Sequence, residues 1–199
     1  MSWAVVRVTD STFELLTTTD AKKHLRVEHT DDDAYIADLS KGWRRWLEDR
    51  TSRSFALQTL DYFDDGFPDG SDPIEVPRGP VTSITSVKYT TTTSTTAQTL
   101  AATAYVVDKT SEPGRIALKS GQTWPTNTLR DVNGVEVRYT AGFATSATAA
   151  FEEEARSVLR LLVGSSYANR EAVVVGSINT KLHFAVESLI SGLDARRYL

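Results

Sequence analysis

Asn133-Gly-Val-Glu-Val-Arg-Tyr-Thr140 is the stretch whose reading decides the fold. Val135, Val137 and Tyr139 alternate with Glu136, Arg138 and Thr140, which gives a strand one apolar and one wet face. Asn133-Gly134 just ahead of them is a hairpin turn signal. Outward from this point the same texture of Thr, Val, Tyr, Gly and Pro extends from Ser54 to Phe143. Further strands are expected at Ala56 to Phe63, Ile74 to Val76, Ile84 to Tyr89, Tyr105 to Asp108 and Arg115 to Leu118, with Gly and Pro in the gaps. The run Thr90-Thr-Thr-Thr-Ser-Thr-Thr96 has too little apolar content for a core and is expected as a hairpin tip or mobile loop.

Helical periodicity flanks this region on both sides. Thr17-Thr-Thr-Asp20 ahead of Ala21 to Val27 predicts a short helix capped by Thr19 or a neighbour. Thr30 is the expected cap of a second helix, with Asp31, Asp32 and Asp33 in its first turn. Its apolar stripe is Ile36, Leu39, Trp43, Trp46 and Leu47, running to about Arg50. Asp38, Lys41, Arg44, Arg45, Glu48 and Asp49 fall on the expected polar face, where Arg45 and Asp49 can pair at i,i+4. From about Thr148 a third helix aligns Phe151, Ala155, Val158, Leu159 and Leu162. Glu152, Glu153 and Glu154 sit at its positive end, and Glu152 is spaced to pair with Arg156. Thr180 is the expected cap of a last helix with the stripe Leu182, Val186, Leu189 and Ile190, ended by Gly192. The expectation is an α+β protein of about four helices. Residues 1–53 and 144–199 form the helical core, and 54–143 an inserted small antiparallel β domain, sandwich or barrel-like.

The chain has 199 residues, 22 basic against 26 acidic, and a formal net charge of −4. That balance lacks the basic face of a protein that grips nucleic acid by its phosphates. The absence of cysteine removes disulfides, thiolate catalysis and thiolate metal sites together. No apolar run approaches the ~20 residues of a membrane span, and the start Met-Ser-Trp-Ala-Val-Val-Arg lacks a signal-peptide pattern, so cytosol is the expected compartment.

Catalytic wording is missing as well. Neither a phosphate-binding loop nor the nucleophile elbow Gly-x-Ser-x-Gly occurs, and His24, His29 and His183 have no nucleophile motif to serve. His183 and Glu187 share a helix face without a third zinc ligand. Asp61, Asp64, Asp65, Asp69 and Asp72 fail the calcium-loop spacing, and Asp-Gly turns at 65–66 and 69–70 account for them. Asp31 to Asp33 fit a helix start better than a cation site. Trp43 and Trp46 with Arg44 and Arg45 between them suit base stacking beside phosphate contacts, but core packing with the arginines in solvent is the preferred reading. No catalytic residue, metal ligand or cofactor is expected.

Several segments carry a resemblance through their order. These are Leu16 to Val27, Asp31-Asp-Asp-Ala-Tyr-Ile36, Leu47 to Phe55, Ile74 to Tyr89, Ser111 to Ile116, Trp124-Pro125, Val137 to Gly142, and Tyr167-Ala-Asn-Arg-Glu-Ala-Val-Val-Val-Gly176. Together they resemble the phage head-tail connector (adaptor) proteins that carry a β-domain insertion. The resemblance implies a non-enzymatic subunit of a homo-oligomeric ring beneath the portal, twelve-fold in the virion. It implies the portal protein on one face, a stopper or tail completion protein on the other, and DNA passing non-specifically through the lumen. Its place is the neck of the virion, assembled in the bacterial host cytoplasm, with no membrane partner. The tail Ala195, Arg196, Arg197, Tyr198 and Leu199 is assigned to portal binding by the same resemblance, an aromatic anchor with two charges that orders on docking.

Tyr167, Asn169, Arg170, Glu171, Val173, Val174, Val175 and Gly176 are assigned to subunit contact or a hinge. The β-branched valines and Gly176 favour extended backbone, and Arg170 and Glu171 are expected as helix-end or subunit-contact charges. A different class of answer is a β-domain module for a sugar or host surface, with Trp124-Pro125 and the Thr-rich loop carrying recognition.

Overall fold

The computed structural model describes residues 3–143, 150–170 and 178–193, with side chains from 153 in the second range and from 186 in the third. Their backbone contacts form two compact units, one from residues 3–11 and 56–143, the other from 12–55 and the two later ranges. The chain is α+β, as the texture of the sequence implies.

The β unit contains β1 (Trp3–Thr9), β2 (Gln58–Asp64), β3 (Ile74–Val76), β4 (Val81–Tyr89), β5 (Gln98–Thr99), β6 (Tyr105–Asp108), β7 (Gly114–Leu118) and β8 (Val135–Ala141). A five-stranded sheet runs β1-β2-β8-β4-β5 and a three-stranded one β3-β7-β6, every pairing antiparallel. Both sheets stay open, so the unit is sandwich-like and not a closed barrel. Period-two alternation explains the core: Val135, Val137 and Tyr139 are buried while Glu136, Arg138 and Thr140 are half-buried on the other face. The inward set meets Leu60 and Val87 of the large sheet and Ile74, Val76 and Ile116 of the small one. Each fully buried side chain of this kind contributes about 1.5–3 kcal/mol. Tyr139 has no exposed surface, and its hydroxyl donates to the Pro77 carbonyl at 2.7 Å. Burial pushes its phenol above the ordinary range.

The strand readings at 74–76 and 105–108 match the structure, and the others differ at their ends. Two strands lie outside the sequence reading, β1 and the two-residue β5. Trp3–Thr9, expected within the helical core of residues 1–53, instead pairs with β2 from Trp3↔Asp64 to Thr9↔Thr59. Asn133-Gly134 also plays another part. Asn133 is left-handed at φ 52°, but β8 follows no hairpin partner, since β7 pairs with β3 and β6. The turn instead ties a loop to β2, with the Asn133 N–H donating to Asp65 Oδ1 at 3.1 Å. The Thr-rich run is the hairpin tip joining β4 to β5, as expected; Thr92, Thr93, Thr95 and Thr96 are exposed, while the start of the run is tied down. Thr91 is buried, the Thr92 N–H donates to the Thr128 carbonyl, and the Arg130 N–H donates to that of Thr90. Gly142, just past β8, has φ 112°, and a Cβ there would lie 2.3 Å from the Ala56 carbonyl oxygen, so backbone approach and conformation both demand glycine.

The helical unit contains α1 (Thr18–Leu25), α2 (Asp33–Thr51), α3 (Ala150–Ala168) and α4 (Ile178–Leu193). Thr17 caps α1: its Oγ1 accepts from the Asp20 N–H at 3.1 Å and donates to the Asp20 carboxylate at 2.9 Å. That bond is the main cause holding the Asp20 carboxyl below its usual range. For α2 the N-cap is Asp32 and not Thr30; Asp31 and Asp32 precede the helix. Thr180 lies inside α4, whose first residue is Ile178, and α4 runs one residue past Gly192. On α3, Ala155, Val158, Leu159 and Leu162 are buried as expected, while the side chains of Phe151 and Glu152 lie outside the described residues. Leu15 and Leu16, ahead of α1, are buried too, and Arg156 Nε donates to the Leu15 carbonyl at 3.0 Å.

Candidate functional site

The second helix is rotated relative to the face its apolar residues suggest. Its buried residues are Ile36, Ser40, Arg44, Leu47, Glu48 and Thr51. Arg44, expected in solvent, is wholly enclosed, and a buried guanidinium is tolerated only when its donors are matched. Glu14 takes Nε at 2.7 Å and Nη2 at 3.0 Å, and Glu48 takes Nη1 at 3.0 Å. The second oxygen of Glu48 accepts the Phe55 N–H at 3.0 Å, so α2 and the chain leaving it are locked by one network.

Rotation displaces the tryptophans. Trp43 and Trp46, expected in the buried stripe, meet edge to face at 5.4 Å between centroids, and Trp46 remains 37% exposed. Trp43 donates Nε1–H to Ser166 Oγ at 3.0 Å, which ties α2 to α3. Tyr35, Leu39, Gly42, Trp43 and Trp46 line an open groove of about 420 Å³ with Asp38 and Ser166.

Where α2 begins and α3 ends, a compact polar cluster forms. Asp32 accepts from the Tyr167 hydroxyl and, on both oxygens at 3.0 Å, from Arg170 Nη2. The Arg170 guanidinium lies over the Tyr35 ring at 4.9 Å and the Tyr167 ring at 5.5 Å, a cation–π arrangement. His29 Nε2 is 4.0 Å from the same carboxylate. The Tyr167 hydrogen bond, ahead of Arg170, holds the Asp32 carboxyl below the usual carboxylate range. In return Asp32 raises the Tyr167 phenol and the Arg170 guanidinium. Asn169 closes α3, its N–H and its side-chain amide both donating to the Ser165 carbonyl at 3.0 and 3.1 Å.

Three of the assigned contact residues, Tyr167, Asn169 and Arg170, are therefore brought together around the α3 end. Glu171, Val173, Val174, Val175 and Gly176 lie outside the described residues, as do Ala195, Arg196, Arg197, Tyr198 and Leu199. The side chain of His183 does too. Sequence reasoning missed Asp32 as the partner of Arg170 and Glu14 as the partner of Arg44. Each joins residues far apart in the chain, so no local spacing signals it.

The other candidates have structural employment. Asp61 takes Arg138 Nε and Nη2 at 2.8 and 2.7 Å across neighbouring strands. Asp64 accepts from the Tyr62 hydroxyl at 2.6 Å and from the Asp65 N–H at 2.7 Å. Asp69 and Asp72 share a turn and, with Asp64 and Glu75, line an open cavity of about 420 Å³. Among the described residues no group of three His, Cys, Asp or Glu side chains is placed to hold a metal ion, and no helix is long and apolar enough to cross a membrane. Trp124, the anchor of the binding-module reading, is 5% exposed, stacks on Phe67 at 5.2 Å and donates Nε1–H to the Asp72 carbonyl. It is a core residue and presents no recognition face.

Comparison with known proteins agrees with the assembly reading. Residues 16–111 match the model of the phage gp6-like head-tail connector proteins. No curated protein matches the chain significantly. Among solved structures, a chain from the neck of an empty gene transfer agent (GTA) particle, computed with C6 symmetry, has a TM-score of 0.75 at 18% identity, covering 96% of this chain and 95% of that one. A chain from the virion of the native particle gives 0.74 at 18%, covering 96% and 94%. One from the native neck computed with C12 symmetry gives 0.71 at 19% with the same coverage. At such identities the likeness speaks for the fold. Residues 16–111 thus carry the signature of the phage gp6-like head-tail connector proteins, and nearly the full length of the chain has the fold of the particle-neck chains.

Proposed function

We propose that this protein is a non-enzymatic subunit of a cyclic ring that joins the head of a phage-like particle to its tail, beneath the portal. The observation that carries the reading is the connector signature in residues 16–111 together with a whole-chain fold shared with particle necks. Those necks were computed with C6 and C12 symmetry, which supports copies repeated about an axis. The portal holds one face of the ring and a stopper or tail completion protein the other. A formal charge of −4 suits a lumen that lets DNA slide without gripping its phosphates. Assembly takes place in the host cytoplasm.

Residues 195–199 supply the portal grip, and the end of α3 with the following 171–176 segment supplies subunit contact or a hinge. Asp32, Tyr35 and Arg170 support the second assignment, because they fix the point from which that segment departs. The test is co-sedimentation with isolated portal rings. The full chain should pellet with them, and a chain ending at residue 194 should keep its circular dichroism while losing attachment. Equal attachment of both sinks the tail assignment, and attachment of neither sinks the portal assignment.

A further inference from the structure

Three of the large apolar side chains that the described residues leave exposed lie on one strand: Trp3 at 61%, Val6 at 51% and Val8 at 45%. That strand, β1, is an edge of the five-stranded sheet, so one row of its backbone donors and acceptors has no strand partner among the described residues. Edge strands are ordinarily blunted by shortness, lysine, proline or an inward charge. β1 has seven residues without lysine or proline, and its one charge, Arg7, is engaged by Gln58 Oε1 and Asp10. The other edge of the sheet, β5, is only two residues long. In the small sheet β6 is an edge of four residues with Val106 50% exposed. Its one charge, Asp108, is engaged by Arg115 and Ser111.

We propose that β1 of one copy adds to β6 of the next, pairing backbone to backbone and packing Val6 and Val8 against Val106. The inference rests on the ring reading above, which supplies the second copy as occupant. Two different edges on one chain are what a head-to-tail, ring-closing contact requires, whereas β1 against β1 would be two-fold and stop at a dimer. Exposed apolar groups stand on both edges. The single charges, Arg7 and Asp108, are opposite in sign, so neither strand repels the other.

The chain has no cysteine, which makes engineered cysteines unambiguous probes. Val6→Cys and Val106→Cys are made separately, checked for folding by circular dichroism, and oxidised alone and mixed at concentrations where sedimentation shows assembly. A disulfide dimer should form in the mixed pool and in neither pool alone, and the double variant should give a ladder of multimers. Cross-linking of Val6→Cys with itself, or no cross-link in the mixed pool, overturns the pairing. A second variant, Val6→Lys with Val8→Lys, should fold yet weaken self-association at least tenfold; unchanged self-association also overturns it. Electron microscopy of the unmodified chain scores the ring separately. Rings without the mixed cross-link reject the β1–β6 contact alone, and absence of both rings and cross-links rejects the ring reading with it.

Discussion

Replacing Arg44 by Met keeps the volume of the buried stem and removes the guanidinium, which isolates one term. Glu14, whose side chain is 26% exposed, can turn to water, but Glu48 is wholly buried and loses the guanidinium that its Oε2 accepts from, while its Oε1 still accepts the Phe55 N–H. Stranding one partner of a buried pair costs about 3–5 kcal/mol. The whole chain has about 5–15 kcal/mol to lose, so the helical unit should be near unfolding. With an m-value near 2 kcal/mol/M, its urea midpoint, followed by circular dichroism at 222 nm, should fall by about 2 M. Replacing Glu48 by Leu in the same chain removes that buried carboxylate and deprives the Phe55 N–H of its acceptor, a loss of about 1–3 kcal/mol. The double variant should therefore be more stable than Arg44→Met alone. A loss under about 1 kcal/mol for Arg44→Met, or additive losses in the double variant, would refute the buried network as the lock on α2.

Trp124→Ala should cost the β unit about 3–5 kcal/mol in thermal or urea unfolding, because stacking and a carbonyl bond go together; unchanged stability with loss of a ligand would revive the binding-module reading. Asp32 has a carboxyl lowered in the folded state, so its contribution is full above the unfolded pKa of about 3.9 and is lost as pH falls through the folded value. Asp32→Asn should thus be less stable than the parent at pH 6, with the gap closing on acidification below about pH 4; a gap that is constant with pH contradicts the linkage. Gly142→Ala should destabilise the β unit by more than the ~1–3 kcal/mol of left-handed strain alone, since the new Cβ meets the Ala56 carbonyl. Hydrogen exchange of the β8 amides reads that loss, and protection equal to the parent's would count against it.

Elements with one clear face were legible in the sequence. β8 declares itself because its inward and outward residues alternate without exception, and α3 because its stripe has few rivals. β1 was not legible, for Trp3-Ala-Val-Val-Arg-Val8 is apolar at both parities and its valines are exposed, so no alternation marks the strand. The rotation of α2 was hidden for another reason. Counting apolar residues points Trp43 and Trp46 inward, but Glu14, ahead of α1, supplies the acceptors that allow Arg44 to be buried instead. The α3-end contacts were half legible: the order of motifs flagged Tyr167 and Arg170, while Asp32 looked like one of three helix-start acids.

Electron microscopy of the purified chain mixed with isolated portal rings tests the central claim most directly. The account predicts a rotationally symmetric ring of this chain stacked on one face of the portal, with a continuous central channel. Portal rings that stay bare, with the chain monomeric beside them, would contradict it.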